Sequence, residues 1–195
     1  VIAALADSQK SVEEIYQQAP EAFVGNHRQI LDFIQWRIAQ RTVKQPDTPW
    51  TPFDISIMQE GGRFTQLATW LNWIPTRRRH RQYQLYLSGP GGTGKTSLCL
   101  WLSTFFRIYW APNQENFFDN YSDQEYDLVV FDEFLSSHPI TFMNKFLEGA
   151  PMVLRKKGGQ VIKQKNLPVI VISNVDCKDQ YQNVPQAVRD AFCSR

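Results

Sequence analysis

The sequence predicts an α/β fold with a central parallel sheet, preceded by a small helical region. Three short runs of apolar and β-branched residues have the length of buried strands, at residues 83–87, 127–131 and 169–172. The first run leads into a glycine-rich loop and then into a predicted helix at residues 96–107. Continuous apolar strands that alternate with helices are typical of a parallel sheet covered on both faces.

Residues 1–76 are predicted to be helical. Ser11 and Glu14 fit a capping box, in which a hydroxyl and a carboxylate satisfy the first amides of a helix, and Pro20 ends that helix. A proline-rich connector at residues 45–52 separates two apolar stripes at helical spacing: Ile30, Leu31, Ile34 and Ile38, then Phe64, Leu67, Ala68, Leu71 and Ile74. The second domain is predicted at residues 77–195. It ends inside an apparently helical segment, so we expect the chain to be a piece of a longer protein.

Composition and charge restrict the class of protein. Of the 195 residues, 43% are apolar, which is enough for a globular core. The apolar runs are too short for a membrane span. The net charge of +2 means that any contact with nucleic acid must come from a local patch. The three cysteines are odd in number and far apart, which predicts reduced thiols in an intracellular protein.

The strongest motif is Gly89-Pro90-Gly91-Gly92-Thr93-Gly94-Lys95-Thr96, which matches the P-loop pattern G-x-x-x-x-G-K-[ST]. Glycines let the backbone wrap around phosphate oxygens with its amides pointing inward. Lys95 would reach the β- and γ-phosphates of ATP, and the Thr96 hydroxyl would complete the Mg²⁺ shell. A strand before the loop and a helix after it favour this interpretation over a structural glycine-rich turn.

Two further strands end in polar residues that suit the same chemistry. Asp132 and Glu133 follow the second strand, where Asp132 can hold Mg²⁺ and Glu133 can act as general base toward water. Asn174 follows the third strand and can orient that water. Acids after a strand are usually a helix cap or a turn, and Asn is an ordinary turn residue. The P-loop upstream favours the catalytic interpretation.

Residues 152–163 predict a hairpin of two short strands that turns at residues 157–159. Lys156, Lys157 and Lys163 are candidates for contacts with a nucleic-acid backbone. The alternative is a solvated edge hairpin protected by lysines.

Arg195 is a candidate arginine finger, which would stabilise transition-state charge in a neighbouring subunit, and Arg189 is its rival. An exposed helix arginine is the alternative. The basic run at residues 77–81 is expected to be a solvated approach to the first strand. The aromatic residues ahead of the second strand are expected in the core rather than in a base-stacking platform: Tyr109, Trp110, Phe117, Phe118 and Tyr121.

The order of these motifs resembles that of superfamily 3 helicases, within them the helicase part of replication initiator (Rep) proteins of small circular single-stranded DNA viruses and related plasmids. The order is GPGGTGKT, VVFDEF, a basic KKGG hairpin and PVIVISN, all within residues 89–174. Residues 19–24 similarly resemble the family's linker helix. Many members carry two Asp at the second motif, where this chain has Asp132 and Glu133. The family's nicking domain, with its paired histidines and catalytic tyrosine, is absent from this sequence.

The resemblance implies an AAA+-like fold and a hexameric ring that uses ATP and Mg²⁺ to move along single-stranded DNA. The N-terminal helices would form an oligomerisation collar. By position, the DNA-contacting hairpin corresponds to Lys156 and Lys157, the sensor to Asn174 and the arginine finger to Arg195. The family implies an intracellular protein, in the host nucleus for a eukaryotic virus.

Two other functions fit the same motifs. One is a nucleotide-gated assembly or loading factor that binds nucleic acid without unwinding it. The other is the superfamily 3 RNA helicase of positive-strand RNA viruses, which shares the motif order. The linker-like start and the lack of a membrane-binding amphipathic helix favour the DNA helicase over the RNA helicase.

Overall fold

A four-stranded parallel sheet lies at the centre of the larger of two compact units, Val1–Lys44 and Gln45–Arg195. In the smaller unit the described residues contain helix α1 (Val12–Gln18), which agrees with the predicted short helix. Ser11 and the apolar stripe at residues 30–38 lie outside the described residues. The computed structural model describes residues 12–18, 20, 46, 48–113 and 117–195.

The larger unit contains four helices and six strands in its described residues. In chain order these are α2 (Arg63–Asn72), β1 (Leu85–Ser88), α3 (Lys95–Leu102), β2 (Ile108–Trp110), β3 (Leu128–Phe131), α4 (Ile140–Glu148), β4 (Met152–Lys156), β5 (Gly159–Lys163), β6 (Val169–Ser173) and α5 (Gln186–Cys193), with 3₁₀ turns at Ile55–Ile57 and Cys177–Asp179. The sequence did not predict β2 or α4, and α3 ends earlier than expected. No helix in the described ranges combines the length and apolarity needed to cross a membrane.

The strands of the central sheet are ordered β1-β6-β3-β2, and every neighbouring pair is parallel. The predicted α/β fold with a central parallel sheet is therefore confirmed. β6 pairs with β1 from Leu85↔Ile170 to Ser88↔Ser173, and with β3 from Val129↔Val169 onward. Because the strands are parallel, the loops that follow β1, β3 and β6 all leave from one edge of the sheet.

The two faces of the sheet bury alternate residues of the same strands. On β3, Val129 and Phe131 pack in a core with residues of α4 and α5, including Phe146 and Phe192. The neighbouring Leu128 and Val130 pack in a second core with residues of α2 and α3. All four residues of β3 are fully buried, since each face of the strand is covered by helices.

Helix α2 belongs to the larger unit, although the sequence grouped it with the N-terminal helical region. Its Trp70 and Leu71 are 6% and 3% exposed, and they pack with Leu102 of α3 and Val130 of β3. An apolar stripe predicts a helix but does not identify the surface that the stripe packs on. The first compact unit ends at Lys44 and the second begins at Gln45, ahead of α2.

Two of the three cysteines are paired, contrary to the prediction of three reduced thiols. Cys177, in the 3₁₀ turn after β6, forms a disulfide with Cys193 at the end of α5, with 5.8 Å between their Cα atoms. Their separation of 16 positions gave no sequence signal, because the pairing depends on how the turn packs against α5. Cys99 is a free cysteine buried in the core.

Candidate active site and hairpin surface

The glycine-rich loop joins the carboxyl end of β1 to the first turn of α3. Gly92 has φ 77° and Gly94, the N-cap of α3, has φ 84° and ψ 10°. Glycine adopts this left-handed conformation without the cost that a Cβ would add. A Cβ at either position would meet no atom within 4 Å, so the requirement for glycine here is conformational. The loop delivers the free amides at the start of α3 to this edge, where they can bind an anion.

Lys95 is the first residue of α3, and its ammonium group turns back over the loop. Its Nζ donates to the carbonyl oxygens of Gly89 at 2.6 Å and Pro90 at 2.8 Å. It also donates to Oδ1 of Asn174 at 3.1 Å. These three acceptors are all neutral, so the positive charge remains available to an anion in the loop.

The acid predicted after β3 meets the P-loop hydroxyl. Thr96 Oγ1 lies 3.2 Å from Oδ1 and 3.3 Å from Oδ2 of Asp132. Asp132 Oδ1 also accepts a hydrogen bond from the backbone N–H of Glu133 at 2.9 Å. Glu133 itself is exposed and has a left-handed backbone, with φ 51°.

Asn174 lies directly after β6, between the P-loop strand and the strand that ends in the acids, because β6 pairs with both β1 and β3. The predicted residues surround a cavity of about 300 Å³ at this edge of the sheet. The residues that line it are Gly91, Gly92, Thr93, Gly94, Lys95, Thr96, Ser97, Asp132, Glu133, Ile172, Ser173 and Asn174. Three segments that are distant in sequence, 91–97, 132–133 and 172–174, thus form one polar site.

The adjacent Thr96 hydroxyl and Asp132 carboxylate fit Mg²⁺, which binds proteins through few side-chain oxygens and completes its shell with water and phosphate. Within the residues that the structure describes, no group of three or more His, Cys, Asp or Glu side chains forms an all-protein metal site.

Cys99 lies on α3 but does not offer a nucleophile to this site. Burial raises the pKa of its thiol to about 12, and the nearby charge of Asp132 contributes. The thiolate is the reactive form of cysteine. A thiol with this pKa is protonated at neutral pH, so Cys99 is a core residue.

The predicted hairpin is present as the antiparallel pair β4 and β5, with Lys156 opposite Gly159. Lys157 and Gly158 form its turn, where Gly158 has φ 77°. The Lys157 side chain is exposed, Lys156 is half-buried, and the backbone N–H of Lys157 donates to Asp119 Oδ1 at 2.7 Å. Two of the three predicted nucleic-acid contacts are therefore at the tip.

The prediction that Lys163 contacts nucleic acid is wrong, because its side chain is fully buried. Lys163 is opposite Met152, and residues opposite each other in an antiparallel pair share a face, here the inner one. Its Nζ lies 5.2 Å from the centroid of the Phe146 ring and 3.5 Å from the carbonyl oxygen of Ala150. Burial lowers the pKa of Lys163 to about 8, partly opposed by the charge of Asp123.

Phe117 and Arg155 extend the hairpin surface and were not among the predicted contacts. The two residues form a parallel β-bridge, and Phe117 is 41% exposed. Trp110 is also exposed, so the prediction that this aromatic group lies in the core is wrong for Trp110 and Phe117. It holds for three members, which are buried: Tyr109, Phe118 and Tyr121.

The two candidate arginine fingers lie away from the cavity of their own chain. The carbonyl oxygen of Arg195 accepts from the N–H of Gln84, which precedes β1, at the edge opposite the P-loop. Arg195 Nη2 lies 3.8 Å from Glu148 Oε1. Arg189 donates from Nη1 to the carbonyl oxygen of Lys178 at 3.2 Å.

A larger cavity of about 880 Å³ lies at the amino edge of the sheet, remote from the P-loop. Two of its basic side chains have internal partners: Arg107 Nη2 lies 2.8 Å from Asp127 Oδ1, and Arg78 donates to the carbonyl oxygen of Tyr83 at 2.6 Å. The run at residues 77–81 was predicted to be solvated. That prediction is wrong for Arg78, which is 8% exposed. None of the P-loop residues lines this cavity.

Comparison with known proteins adds no family to these observations. No protein-family model matches the chain. A search of curated proteins likewise returns no match.

Proposed function

We propose that this chain is an ATP-hydrolysing motor that moves along single-stranded DNA and unwinds duplexes, of the superfamily 3 type that its motifs resemble. The observation that carries the proposal is the convergence of Lys95, Thr96, Asp132, Glu133 and Asn174 on one cavity at the carboxyl edge of the sheet. These residue types, combined with a P-loop, are the parts of a P-loop ATPase.

The loop and α3 would bind the phosphates of ATP. The free amides at the start of α3 face the same edge as the cationic Lys95, which is held by neutral partners only. Phosphate oxygens are the anions that such a loop recognises. Mg²⁺ beside Thr96 and Asp132 would neutralise charge on the β- and γ-phosphate oxygens.

Glu133 is the proposed general base for hydrolysis. It would accept a proton from a water molecule whose oxygen forms the new bond to the γ-phosphorus. The bond from that phosphorus to the β–γ bridging oxygen breaks, and ADP leaves. Asn174 would orient the water, since its side chain reaches the Lys95 ammonium across the cavity.

The hairpin tip is the proposed DNA contact. Lys156, Lys157 and Arg155 supply positive charge for the phosphate backbone, and the exposed Phe117 ring is beside them. Proteins that bind single strands combine basic grooves with aromatic rings on which bases stack. Movement of this surface with the nucleotide state would drive translocation.

The proposed assembly is a hexameric ring in which Arg195, or its rival Arg189, acts in the site of the neighbouring subunit. Neither arginine contacts the cavity of its own chain, which is compatible with action in trans. Under this proposal the protein acts in rolling-circle replication of a viral or plasmid genome inside the host cell, and in the nucleus of a eukaryotic host.

ATP hydrolysis tests the proposal. The rate is measured with and without a single-stranded oligonucleotide over a range of protein concentrations, with the Lys95→Ala variant as the blank. We expect hydrolysis that rises with DNA and rises more steeply than linearly with protein concentration, because sites are shared between subunits.

Three outcomes would argue against a DNA motor. No hydrolysis above the blank would exclude the ATPase. A slow rate indifferent to DNA and to protein concentration would favour a nucleotide-gated switch instead. Stimulation by single-stranded RNA and not by DNA would reassign the substrate.

A further inference from the structure

A buried glutamine beneath the candidate active site uses both ends of its carboxamide. Gln180 is 1% exposed. Its Oε1 accepts from the Ser136 hydroxyl at 2.8 Å. Its Nε2 donates to the Tyr86 hydroxyl at 2.9 Å and Ser173 Oγ at 3.0 Å, with the Phe134 carbonyl oxygen at 3.3 Å. The partners lie on β1, at the end of β6 and in the loop after β3.

Two of these partners are next to the proposed catalytic groups. Ser173 immediately precedes Asn174, and Phe134 immediately follows Glu133. The Ser173 hydroxyl also donates to the Phe134 carbonyl oxygen at 2.6 Å, so the two segments are joined directly and again through Gln180. The spacing of base and sensor therefore depends on this buried network.

The same network holds an unusual backbone. Glu133, Ser136 and Tyr181 have φ values of 51°, 48° and 54°, in the left-handed region that residues with a Cβ rarely adopt. Ser136 Oγ accepts from the backbone N–H of Tyr181 at 2.9 Å and donates to Gln180. Such conformations persist only where the surroundings over-determine them, and they cluster at functional sites.

We propose that Gln180 is a positioning residue that fixes the loop bearing Glu133 relative to Asn174. This inference rests on the proposed ATPase. A carboxamide suits the role because it donates and accepts at once, so it can bind the Phe134 carbonyl oxygen and the Ser136 hydroxyl together. A leucine of about the same size fills the space, but the loop then loses its hydrogen bonds to Gln180 and keeps only its direct ones to β6.

The test is the ATPase kinetics of Gln180→Leu beside wild type, with Gln182→Leu as the matched control on an exposed residue. We expect kcat to fall about 100-fold, the effect of a small misplacement of a catalytic group. The KM for ATP and the affinity for ADP should stay within about twofold, because no P-loop contact changes. Gln182→Leu should behave as wild type.

A double-variant cycle separates positioning from general damage. If Gln180 acts through Glu133, then Gln180→Leu has no further effect on the residual rate of Glu133→Gln. An equal loss in both backgrounds, or a wild-type kcat in Gln180→Leu, overturns the inference. If thermal melts show that Gln180→Leu is unfolded, the Ser136→Ala variant replaces it in the test. A kcat about tenfold lower than wild type in Ser136→Ala supports positioning. A wild-type kcat in Ser136→Ala refutes it.

The two proposals fail differently. Wild-type protein that does not hydrolyse ATP overturns the proposed function and this inference with it. Wild-type protein that hydrolyses ATP, with Gln180→Leu equally active, overturns the inference alone.

Discussion

The carboxyl edge of the sheet and the β4–β5 hairpin hold their polar side chains in different ways. At the edge, Lys95 contacts Asn174, and Thr96 contacts Asp132, so residues from different strands orient one another. On the hairpin the lysines have different surroundings, and Lys163 is fully buried although it lies on the same hairpin as the exposed tip. The first region is a set of mutually oriented groups, and the second is a basic surface at an exposed turn.

This difference predicts two kinds of response to substitution. A displaced atom in an oriented set costs much of the reaction rate, since catalysis depends on geometry. A charged surface loses affinity in steps, roughly one for each ionic contact with a phosphate backbone. A lysine on the covered side of the hairpin should change stability rather than binding.

The largest effect is expected at the sheet edge. We predict that Glu133→Gln lowers the rate of ATP hydrolysis about 1,000-fold, since a general base contributes roughly 10²–10⁴-fold. Nucleotide binding should persist, because Lys95 and Thr96 keep their contacts. Single-turnover hydrolysis and a fluorescent-nucleotide titration measure the two quantities.

Glu60→Gln is the matched control, since Glu60 is exposed and outside the cavity. It should leave both the rate and the affinity at wild-type values. A Glu133→Gln variant that retains more than about a tenth of the wild-type rate would be inconsistent with a general base. The sheet edge would then not be a set of mutually oriented catalytic groups.

An intermediate effect is expected inside the hairpin, on stability. Burial lowers the pKa of Lys163 from 10.5 to about 8 in the folded protein. Between these values the unfolded chain binds a proton that the folded chain has released, so the free energy of unfolding rises with pH. From about pH 7 to about pH 9.5 this group adds about 2 kcal/mol. We predict that Lys163→Met lacks the rise, as measured by chemical denaturation at a series of pH values.

Lys165→Met, at an exposed position two residues later, is the control and should keep the wild-type rise. Subtracting the pH dependence of unfolding of one variant from that of the other cancels the contributions of other groups, such as the buried tyrosines. Lys163→Met should also bind single-stranded DNA as wild type does. Two outcomes would contradict this prediction. A Lys163→Met protein with the full pH dependence would show that Lys163 is not the buried group responsible, and one with weakened DNA binding would show that Lys163 contacts DNA.

The sheet edge could be predicted from sequence because a parallel ladder brings strand ends together. A polar residue that directly follows an apolar run must lie at the carboxyl edge, so Asp132 and Asn174 were located without knowledge of the packing. Glu133 was located in the same way. Gln180 gave no such signal, since it lies in a turn and is buried by residues from three other segments.

The environment of Lys163 could not be predicted, because β5 has no clear alternation. Val161 is half-buried and the neighbouring Ile162 is 58% exposed. Because both are apolar, the sequence pattern does not show which face of β5 points inward. The pairing of Lys163 with Met152 on β4 places the Lys163 side chain on the inner face. The unit that α2 packs in and the disulfide were not predicted for the same reason, since both depend on which elements pack together.

The smallest effect is expected at the hairpin tip, where the charges act separately. We predict that Lys156→Ala with Lys157→Ala weakens binding of a single-stranded oligonucleotide about tenfold near 0.1 M salt. The slope of log affinity against log salt should fall by about 1.4, or roughly 0.7 for each lost phosphate contact. Fluorescence anisotropy at several salt concentrations measures both, and basal ATP hydrolysis should be unchanged.

Lys178→Ala, with Lys178 exposed in the 3₁₀ turn away from the hairpin, is the control for loss of positive charge alone. Its salt slope should equal that of wild type, because a charge outside the DNA path releases no counterions. Equal slopes for the tip variant and wild type would remove DNA binding from the hairpin. A loss of basal hydrolysis in the tip variant would show instead that hairpin and sheet edge are one oriented system, since separate charges on a binding surface leave the chemistry untouched.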